Sequence, residues 1–319
     1  MTAHTIEPAV DVAWSGIMQV GECPLWHPQE RLLYWVDIDG RAVHRLNPAD
    51  GGHRVWTMDS EPSALAHSAG GGLVVATRRG VVHLDTRTDA GAGDNDGDGD
   101  DHVDGAAVTD LVAAPYDTSR VRFNDGRADP AGRFWIGTIY EPRDRPAAEM
   151  YVLERGALRL AWSGGMTNSN GLAFSPDRRT MYHADTAAHR VTRYAYDVAT
   201  GTVSAPQLFR QFDSDKTAPD YGGRPDGAAV DSAGNYWCAL FEGARVLCLS
   251  PQGEVLHEIK LPARCPTMVT FGGADLRTLY ITTASHNRPP AELAQYPHNG
   301  RVLQVRVAIA GQPEPAYQE

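Results

Sequence analysis

The feature of this sequence that most constrains its fold is an internal repeat, which occurs six times. Each clear copy begins with a polar residue and glycine, continues through a short apolar strand and a turn, and ends in a second strand rich in aromatic residues. The clearest copies are FNDGRADPAGRFWIGT (123–138), SNGLAFSPDRRTMYHADT (169–186) and RPDGAAVDSAGNYWCAL (224–240), and weaker copies occupy 23–39, 63–77 and 266–284. Short apolar or aromatic segments that end at turn residues are typical of β-strands.

The spacing of the copies indicates how they are arranged. Their starts are Pro24, Ser63, Asn124, Asn170, Pro225 and Pro266, which are separated by 39, 61, 46, 55 and 41 residues. A period of about 40–50 residues with four short strands per unit is typical of a β-propeller. A solenoid of similar period would need capping ends that the sequence lacks. We therefore predict an all-β, six-bladed β-propeller that forms a single domain over residues 1–319.

The longest gap coincides with a polar, acidic stretch at 87–106. Its low hydrophobicity and high charge predict a flexible, solvated insertion in the second repeat. Within it, Asp94, Asp96 and Asp98 have the spacing of the first ligands of an EF-hand loop. The twelfth position of such a loop would be Gly105, where a bidentate glutamate is required. We interpret the stretch as a loop rather than as a calcium site.

Charge and composition exclude several kinds of partner. The net charge of −11 disfavours nucleic acid, whose phosphates require a basic surface. No apolar run approaches the ~18 residues that a membrane helix needs, and the N-terminal residues lack the pattern of a signal peptide. The four cysteines form no paired motif, so we expect free thiols and a cytoplasmic protein. A monomer is the default expectation.

Polar side chains with oxygen atoms recur where several repeats begin. Glu22 precedes the first copy, Asn124 and Asp125 open the third, Asn170 opens the fourth and Asp226 opens the fifth. In a propeller, equivalent positions of different blades converge at one mouth of the central channel. Carboxylate and amide oxygens around one point are suited to a hard divalent cation. Asn-Gly and Asp-Gly also form turns, so it is the recurrence that predicts a metal site in the central channel.

Other familiar catalytic motifs are missing from the sequence. There is no G-x-S-x-G nucleophile motif, no H-E-x-x-H zinc motif and no phosphate-binding P-loop. The twelve histidines are scattered without the spacing of zinc ligands. A serine triad and a histidine-rich zinc site are therefore unsupported.

Several segments together resemble the family of senescence marker protein (regucalcin), gluconolactonase and luciferin-regenerating enzyme. The resemblance spans about residues 15–310 and rests on Gly21-Glu22-Cys23-Pro24-Leu25-Trp26, Arg122-Phe123-Asn124-Asp125-Gly126, Ser169-Asn170-Gly171-Leu172, Pro225-Asp226-Gly227 and Phe271-Gly272-Gly273. The family usually has Gly-Glu-Gly-Pro in the first motif, where this chain has cysteine in place of the second glycine. Jointly the motifs are specific to the family, although they do not identify a substrate.

The resemblance implies particular roles for site residues. One divalent metal would be held by Glu22, Asn170 and Asp226, and Asp226 would also act as the proton donor or acceptor. Arg122 and Asn124 match the substrate-binding arginine and asparagine, and in some relatives that asparagine contacts the metal. Glu141 lies one position out of register with a substrate-contacting glutamate of some members. The metal could be Ca²⁺, Mg²⁺, Mn²⁺, Zn²⁺ or Fe²⁺.

The activity that the resemblance implies is metal-dependent hydrolysis of a sugar lactone to an aldonic acid. Such an enzyme is a carboxylic ester hydrolase, and substrates of the gluconolactone, xylonolactone and arabinonolactone type remain open. Three other functions are compatible with the same fold: a calcium-binding regulatory propeller, a phosphotriesterase-type hydrolase, and a non-enzymatic scaffold that presents loops to a protein partner. A scaffold would not need polar residues converging on the channel axis.

Overall fold

The computed structural model describes residues 4–5, 9–87 and 108–319, and these residues form six β-sheets. Neighbouring strands in each sheet follow one another along the chain and run antiparallel, apart from additions made by the N-terminal strands. The sheets are the blades of a propeller, so the six-bladed, all-β prediction is confirmed. Apart from Arg87, the acidic insertion predicted at 87–106 lies outside the described residues.

The first half of the chain forms three blades. Two N-terminal strands come first, β1 (His4–Thr5) and β2 (Asp11–Trp14). Blade one consists of β3 (Gly21–His27), β4 (Leu32–Asp37), β5 (Ala42–Leu46) and β6 (His53–Thr57). Blade two consists of β7 (Pro62–His67), β8 (Leu73–Thr77), β9 (Gly80–Leu84) and β10 (Val108–Ala113). Blade three consists of β11 (Val121–Ala128), β12 (Phe134–Tyr140), β13 (Glu149–Glu154) and β14 (Ala157–Ser163).

The second half forms the other three blades and one short helix. Blade four consists of β15 (Ser169–Phe174), β16 (Thr180–Asp185), β17 (Arg190–Asp197) and β18 (Thr202–Gln211). Blade five consists of β19 (Arg224–Val230), β20 (Tyr236–Phe241), β21 (Arg245–Leu249) and β22 (Val255–Lys260). Blade six contains β23 (Pro266–Gly272), β24 (Thr278–Thr283) and β25 (Val302–Arg306), with helix α1 (Pro290–Gln295) between the last two strands. In the described part of the chain, no helix has the length and apolarity to cross a bilayer.

The ring is closed by the N-terminal strand β2, which becomes the outermost strand of blade six. It pairs antiparallel with β25, where Val12 lies opposite Leu303. The shorter strand β1 pairs in parallel with β22 at the edge of blade five. The innermost strands β3, β7, β11, β15, β19 and β23 each contact the next around the ring. The two ends of the chain are thus joined in one sheet.

Buried tryptophans on the second strands tie the blades to their turns. Trp35, Trp135 and Trp237 occupy equivalent strands in blades one, three and five and are at most 2% exposed. The indole nitrogens of Trp135 and Trp237 each donate to a buried turn aspartate, Asp129 and Asp231 respectively, at 2.9 Å. These aspartates also accept hydrogen bonds from backbone N–H groups of their own turns. Each aspartate therefore links a turn to the packing between blades.

The C-terminal segment 307–319 crosses the end of the channel opposite the strand starts. Gly311 forms a bridge with Asp231 of blade five. Farther along, the Tyr317 backbone N–H donates to the His67 carbonyl oxygen of blade two at 2.7 Å. Because the segment is anchored to blades on different sides of the channel, it closes that end and leaves the other end open.

Candidate functional site

A cavity of about 930 Å³ opens at the mouth of the channel where the innermost strands begin. All of the site residues predicted from the sequence line it: Glu22, Arg122, Asn124, Glu141, Asn170 and Asp226. They come from four different blades, with Arg122 and Asn124 on the innermost strand of blade three and Glu141 just after its second strand. The cavity therefore brings together residues that are far apart in the sequence.

An irregularity in strand pairing directs these side chains into the channel. In all six innermost strands, the register against the second strand shifts near the strand start. Asn124 and Asp226 lie within such shifts, and Glu22 and Asn170 immediately precede them. A β-bulge bends the strand and re-aims a side chain. Interpreting Asn170-Gly171 as a turn would be wrong, because both residues lie inside a strand.

Glu22 and Asp226 form a pair of buried carboxyl groups beside the cavity. Burial, together with the charges of Asp226 and Asp125, raises the pKa of Glu22 well above its usual value. Burial also raises the pKa of Asp226 to about 8, although Arg224 opposes the shift. Two buried acids that repel one another ionise only at a high cost, which Arg224 and Arg122 offset in part.

Asn170 is held between neighbouring blades by its side-chain amide. Its oxygen accepts a hydrogen bond from the Asn124 side-chain nitrogen at 2.9 Å. Its nitrogen donates to the Thr186 hydroxyl at 2.7 Å, and that hydroxyl donates to the Pro225 carbonyl oxygen at 2.7 Å. Thr186 thus couples the amide of Asn170 to the strand that carries Asp226. The orientation of both groups is set by the same hydrogen-bonded chain.

Arg122 links Asn124 to Glu141, which follows the second strand of blade three. Its guanidinium donates to the Asn124 side-chain oxygen at 2.7 Å, and its Nε lies 3.5 Å from a carboxylate oxygen of Glu141. Arg78 donates to both carboxylate oxygens of Glu141, at 2.9 and 2.8 Å. Hydrogen bonding to Arg78 lowers the pKa of Glu141, so that carboxylate is ionised at neutral pH. Glu141 reaches the cavity with both of its oxygens already engaged.

A third buried acid, Asp125, lies behind the pair. One of its oxygens accepts the Leu172 backbone N–H at 2.9 Å, and the other has no hydrogen-bond partner among the described residues. Burial raises its pKa to about 6. Asp125 contributes to the raised pKa of both Glu22 and Asp226. Asp125 follows Asn124 in the sequence, but the sequence alone does not predict this electrostatic effect.

Cys23 occupies the position where the family that the sequence resembles usually has glycine, and its backbone conformation is one that glycine adopts readily. Its φ of 45° lies in the left-handed region that favours glycine. The buried thiol packs in the channel, where its sulfur accepts the Leu65 backbone N–H at 3.1 Å. The Cys23 backbone N–H donates to a Glu22 carboxylate oxygen at 3.0 Å. The substitution leaves Glu22 at the cavity.

The residues at the channel mouth suit a divalent cation that prefers oxygen ligands. Glu22 and Asp226 offer carboxylate oxygens whose charge lacks full compensation, and Asn170 offers an amide oxygen. In the described part of the chain, no three His, Cys, Asp or Glu side chains cluster in a metal-binding arrangement. Any metal here therefore depends on the amide. Such a mixed oxygen set favours Ca²⁺, Mg²⁺ or Mn²⁺.

Several cavity residues were missed by sequence reasoning. Thr186, Lys216, Arg224 and Arg288 line the cavity, and Arg78 binds the cavity residue Glu141. Thr186 directly follows the second strand of blade four, and antiparallel pairing brings the end of a second strand to the start of the first. That relation could have identified Thr186. Lys216 and Arg288 lie in loops with no repeating pattern.

Comparisons with known proteins agree with this architecture. A protein of Pseudomonas putida named 6-deoxy-6-sulfogluconolactonase is 44% identical over 298 residues, which cover 93% of this chain and 94% of the relative. A pentonolactonase of Haloferax volcanii is 34% identical over 300 residues, with the same two coverages. These similarities extend over nearly the whole chain.

A solved structure described as a calcium-binding protein, regucalcin, from Agrobacterium tumefaciens matches with a TM-score of 0.88 at 25% identity and covers 100% of both chains. The model of the SMP-30/gluconolactonase/LRE-like region matches residues 20–285. The resemblance found in the sequence motifs is thereby confirmed. This chain belongs to the SMP-30/gluconolactonase/LRE-like family.

Proposed function

We propose that this protein is a sugar lactonase that hydrolyses an aldonolactone at the channel mouth with the help of one divalent cation. The observation that carries the proposal is the pair of buried carboxyl groups, Glu22 and Asp226, beside a cavity large enough for a sugar. Two relatives named as lactonases support the reaction class. A raised pKa at a group in a cleft is a common property of catalytic acids and bases.

Glu22, Asn170 and Asp226 are the residues that would hold the cation. When bound, a divalent cation supplies Lewis-acid polarisation of a carbonyl group. Asn170 is already oriented for this purpose by Asn124 and Thr186, which engage its oxygen and its nitrogen. A carbonyl oxygen has two lone pairs, so the Asn170 oxygen can accept from Asn124 and still offer a ligand.

Asp226 would manage the proton of the attacking water. An oxygen of its carboxylate that is not engaged by the cation takes a proton from the water as the water attacks the lactone carbon. The same carboxyl group returns the proton to the ring oxygen when the carbon–oxygen bond breaks. Burial, the main cause of the raised pKa of Asp226, favours retention of the proton on this carboxyl group between the two steps.

Arg122 and Asn124 would orient the sugar. The Arg122 guanidinium lies at the cavity wall and has donors beyond those directed at Asn124 and the Phe123 carbonyl oxygen. Such donors suit sugar hydroxyls or the carboxylate that forms on ring opening. Glu141, held by Arg78, would accept hydrogen bonds from hydroxyls at the rim.

Lactone hydrolysis by the purified protein tests the proposal. The protein is stripped with a chelator and assayed against gluconolactone, pentonolactones and 6-deoxy-6-sulfogluconolactone, with Ca²⁺, Mg²⁺, Mn²⁺, Zn²⁺ and Fe²⁺ added back singly. We expect metal-dependent turnover, lost in Asp226→Asn and retained in the matched variant Asp197→Asn, whose residue is exposed on blade four. Near-normal turnover by metal-loaded Asp226→Asn would refute the proton role.

The same assay separates the alternatives. Hydrolysis of phosphotriesters in preference to every lactone would favour a phosphotriesterase. Tight calcium binding without turnover of any ester would favour a calcium-binding regulator; the similar Agrobacterium protein is described as calcium-binding. Glu22→Gln should weaken metal binding in each case, because it removes a charged ligand from the proposed site.

A further inference from the structure

One wall of the cavity, built by blades four to six, presents three cationic side chains. Lys216 lies in the loop between β18 and β19, Arg224 begins β19, and Arg288 precedes helix α1. Among the described cavity-lining residues from position 186 to 288, Asp226 is the only acidic one. This wall is therefore positively charged, although the whole chain carries a net charge of −11.

The acidic partners of these cations lie behind the wall. The Glu242 carboxylate is 3.2 Å from the Lys216 amine, 3.4 Å from the Arg224 guanidinium and 3.0 Å from that of Arg288. Glu292 accepts two further hydrogen bonds from Arg288, at 2.7 and 2.6 Å. Neither glutamate lines the cavity. The two glutamates outside the lining offset two of the three positive charges, and Asp226, on the cavity side near Arg224, is the third acid of this group.

The cations are held in place before any ligand arrives. Glu242 gathers all three, and their charges keep its pKa low despite its burial. The Arg224 guanidinium also packs over the Phe241 ring, 4.9 Å from its centroid. Donors fixed in this way lose little conformational freedom on binding, which increases affinity.

The opposite wall has a different character. There the cations Arg41, Arg122 and Arg143 are interspersed with acids that also line the cavity: Asp39, Glu61 and Glu141. Arg122 is 3.5 Å from Glu141, and Arg41 is 3.9 Å from Glu61. Charges of both signs on one surface suit sugar hydroxyls, which donate and accept hydrogen bonds. Only the wall of blades four to six is arranged for an anion.

We propose that Lys216, Arg224 and Arg288 form a subsite for a strongly acidic oxyanion group, a sulfonate or a phosphate, on the end of the lactone distant from the reacting carbonyl. The inference rests on the proposed lactonase function. Arg224 is two residues from Asp226 in the same strand, so one sugar can reach from the reaction centre to the subsite. Guanidinium and ammonium donors around one point suit such a group.

The test compares three lactones of one sugar: unsubstituted gluconolactone, its 6-sulfonate and its 6-phosphate. The measured quantity is the ratio of kcat/KM for each anionic lactone to that for the neutral one. We expect the wild-type ratio to exceed one for at least one anion, and Lys216→Gln to lower that ratio about fivefold, as for a partly exposed ion pair. The sulfonate and phosphate arms identify which group the subsite prefers.

The chain contains only one other lysine, which provides a matched control. Lys260 is exposed at the end of β22 in blade five, so Lys260→Gln makes the same change of charge away from the cavity. We expect this control to keep the wild-type ratio. A wild-type preference for the neutral lactone, or an unchanged ratio in Lys216→Gln, would overturn the subsite while leaving the lactonase proposal intact.

A binding measurement covers the case in which no lactone is hydrolysed, where the proposed function itself fails. Calorimetry then compares gluconate with its 6-sulfonate and 6-phosphate as ligands of the wild-type protein. Tighter binding of an anionic ligand that is weakened about fivefold in Lys216→Gln supports the subsite. Equal affinity for gluconate, its 6-sulfonate and its 6-phosphate overturns it.

Discussion

The Asn124 side-chain nitrogen donates a hydrogen bond to the Asn170 side-chain oxygen across 2.9 Å, joining blade three to blade four at the channel mouth. The same nitrogen donates to the Ser169 carbonyl oxygen at 2.8 Å and to the Asn168 side-chain oxygen at 3.1 Å. The Asn124 side-chain nitrogen thus lies within hydrogen-bonding distance of three acceptors. Its bond to Asn170 holds in place the amide oxygen that the proposed metal site requires.

Asn124→Asp should destabilise the metal-free protein. The change removes the donor and places a carboxylate oxygen opposite three acceptors, which we expect to lower the free energy of unfolding by about 1–3 kcal/mol. A divalent cation should recover part of the loss, because the added charge lies beside the proposed ligands. Urea unfolding with a chelator and with added metal measures both effects.

Asn168→Asp is the matched control for that experiment. The Asn168 side-chain oxygen is an acceptor for Asn124, and an aspartate there keeps an acceptor in place. Its loss of stability should be clearly smaller. Equal losses in the two variants would show that the donor of Asn124 is not what matters.

Metal removal should cost more stability at high pH than at low pH. Burial raises the pKa of Asp226 to about 8 in the folded protein without a cation, above its value in the unfolded chain. Between the pKa of an aspartate in the unfolded chain and about pH 8, the metal-free folded protein holds a proton that the unfolded chain has released. Its free energy of unfolding therefore falls as pH rises through this interval. A bound cation removes the need for that proton. The difference in Tm between metal-loaded and chelated protein should therefore be larger at about pH 8 than at about pH 6.

Asp226→Asn checks the origin of that pH dependence. The amide does not titrate, so the contribution of residue 226 to the pH dependence of the Tm difference should disappear. Glu22 remains and should keep part of that pH dependence. A Tm difference that is independent of pH in the wild-type protein would contradict the shift assigned to the acids. Thermal unfolding across a pH series, with calcium or chelator, gives both results.

The sequence predicted the blades and the converging residues because both depend on local patterns that repeat. Each opening motif lies on an innermost strand. The aromatic residues of the second strands include tryptophans that are buried in the core. Asn170-Gly171 and Asp226-Gly227 were recognised through their residue types, although they also fit turns. Recurrence in one structural position was what distinguished a site from a set of turns.

Other features depend on contacts between distant parts of the chain and could not be predicted. The bulges that direct the site residues are visible only in the pairing of two strands. Closure by Asp11–Trp14 requires a partner about 290 residues later, and the segment has no repeat motif. The gathering of Lys216, Arg224 and Arg288 around Glu242 likewise follows from loop positions.

Asp231→Ala should strongly destabilise the propeller. Asp231 is fully buried, and its oxygens accept from the Trp237 indole, the Asn235 side chain and two backbone N–H groups. Without the carboxylate these buried donors have no acceptor, which lowers the free energy of unfolding by about 3 kcal/mol. Asp197→Ala removes an aspartate from an exposed turn and should have a much smaller effect. Comparable losses in chemical unfolding would refute the linking role of Asp231.

The C-terminal segment should stabilise the fold through the ion pair that its Glu314 forms with Arg127. Glu314 pairs with the buried Arg127, which also donates to the Leu172 and Ala228 carbonyl oxygens at 2.8 and 2.6 Å. Glu314→Ala would remove the carboxylate paired with that guanidinium, leaving the buried Asp125 as its nearby acid, and should cost about 3 kcal/mol. Adding Arg127→Met to it should restore part of the loss, because the buried guanidinium is then absent. A single-variant loss no larger than that of Glu319→Ala, which removes only an exposed partner of Ser68, would show that the segment closes the channel without stabilising it.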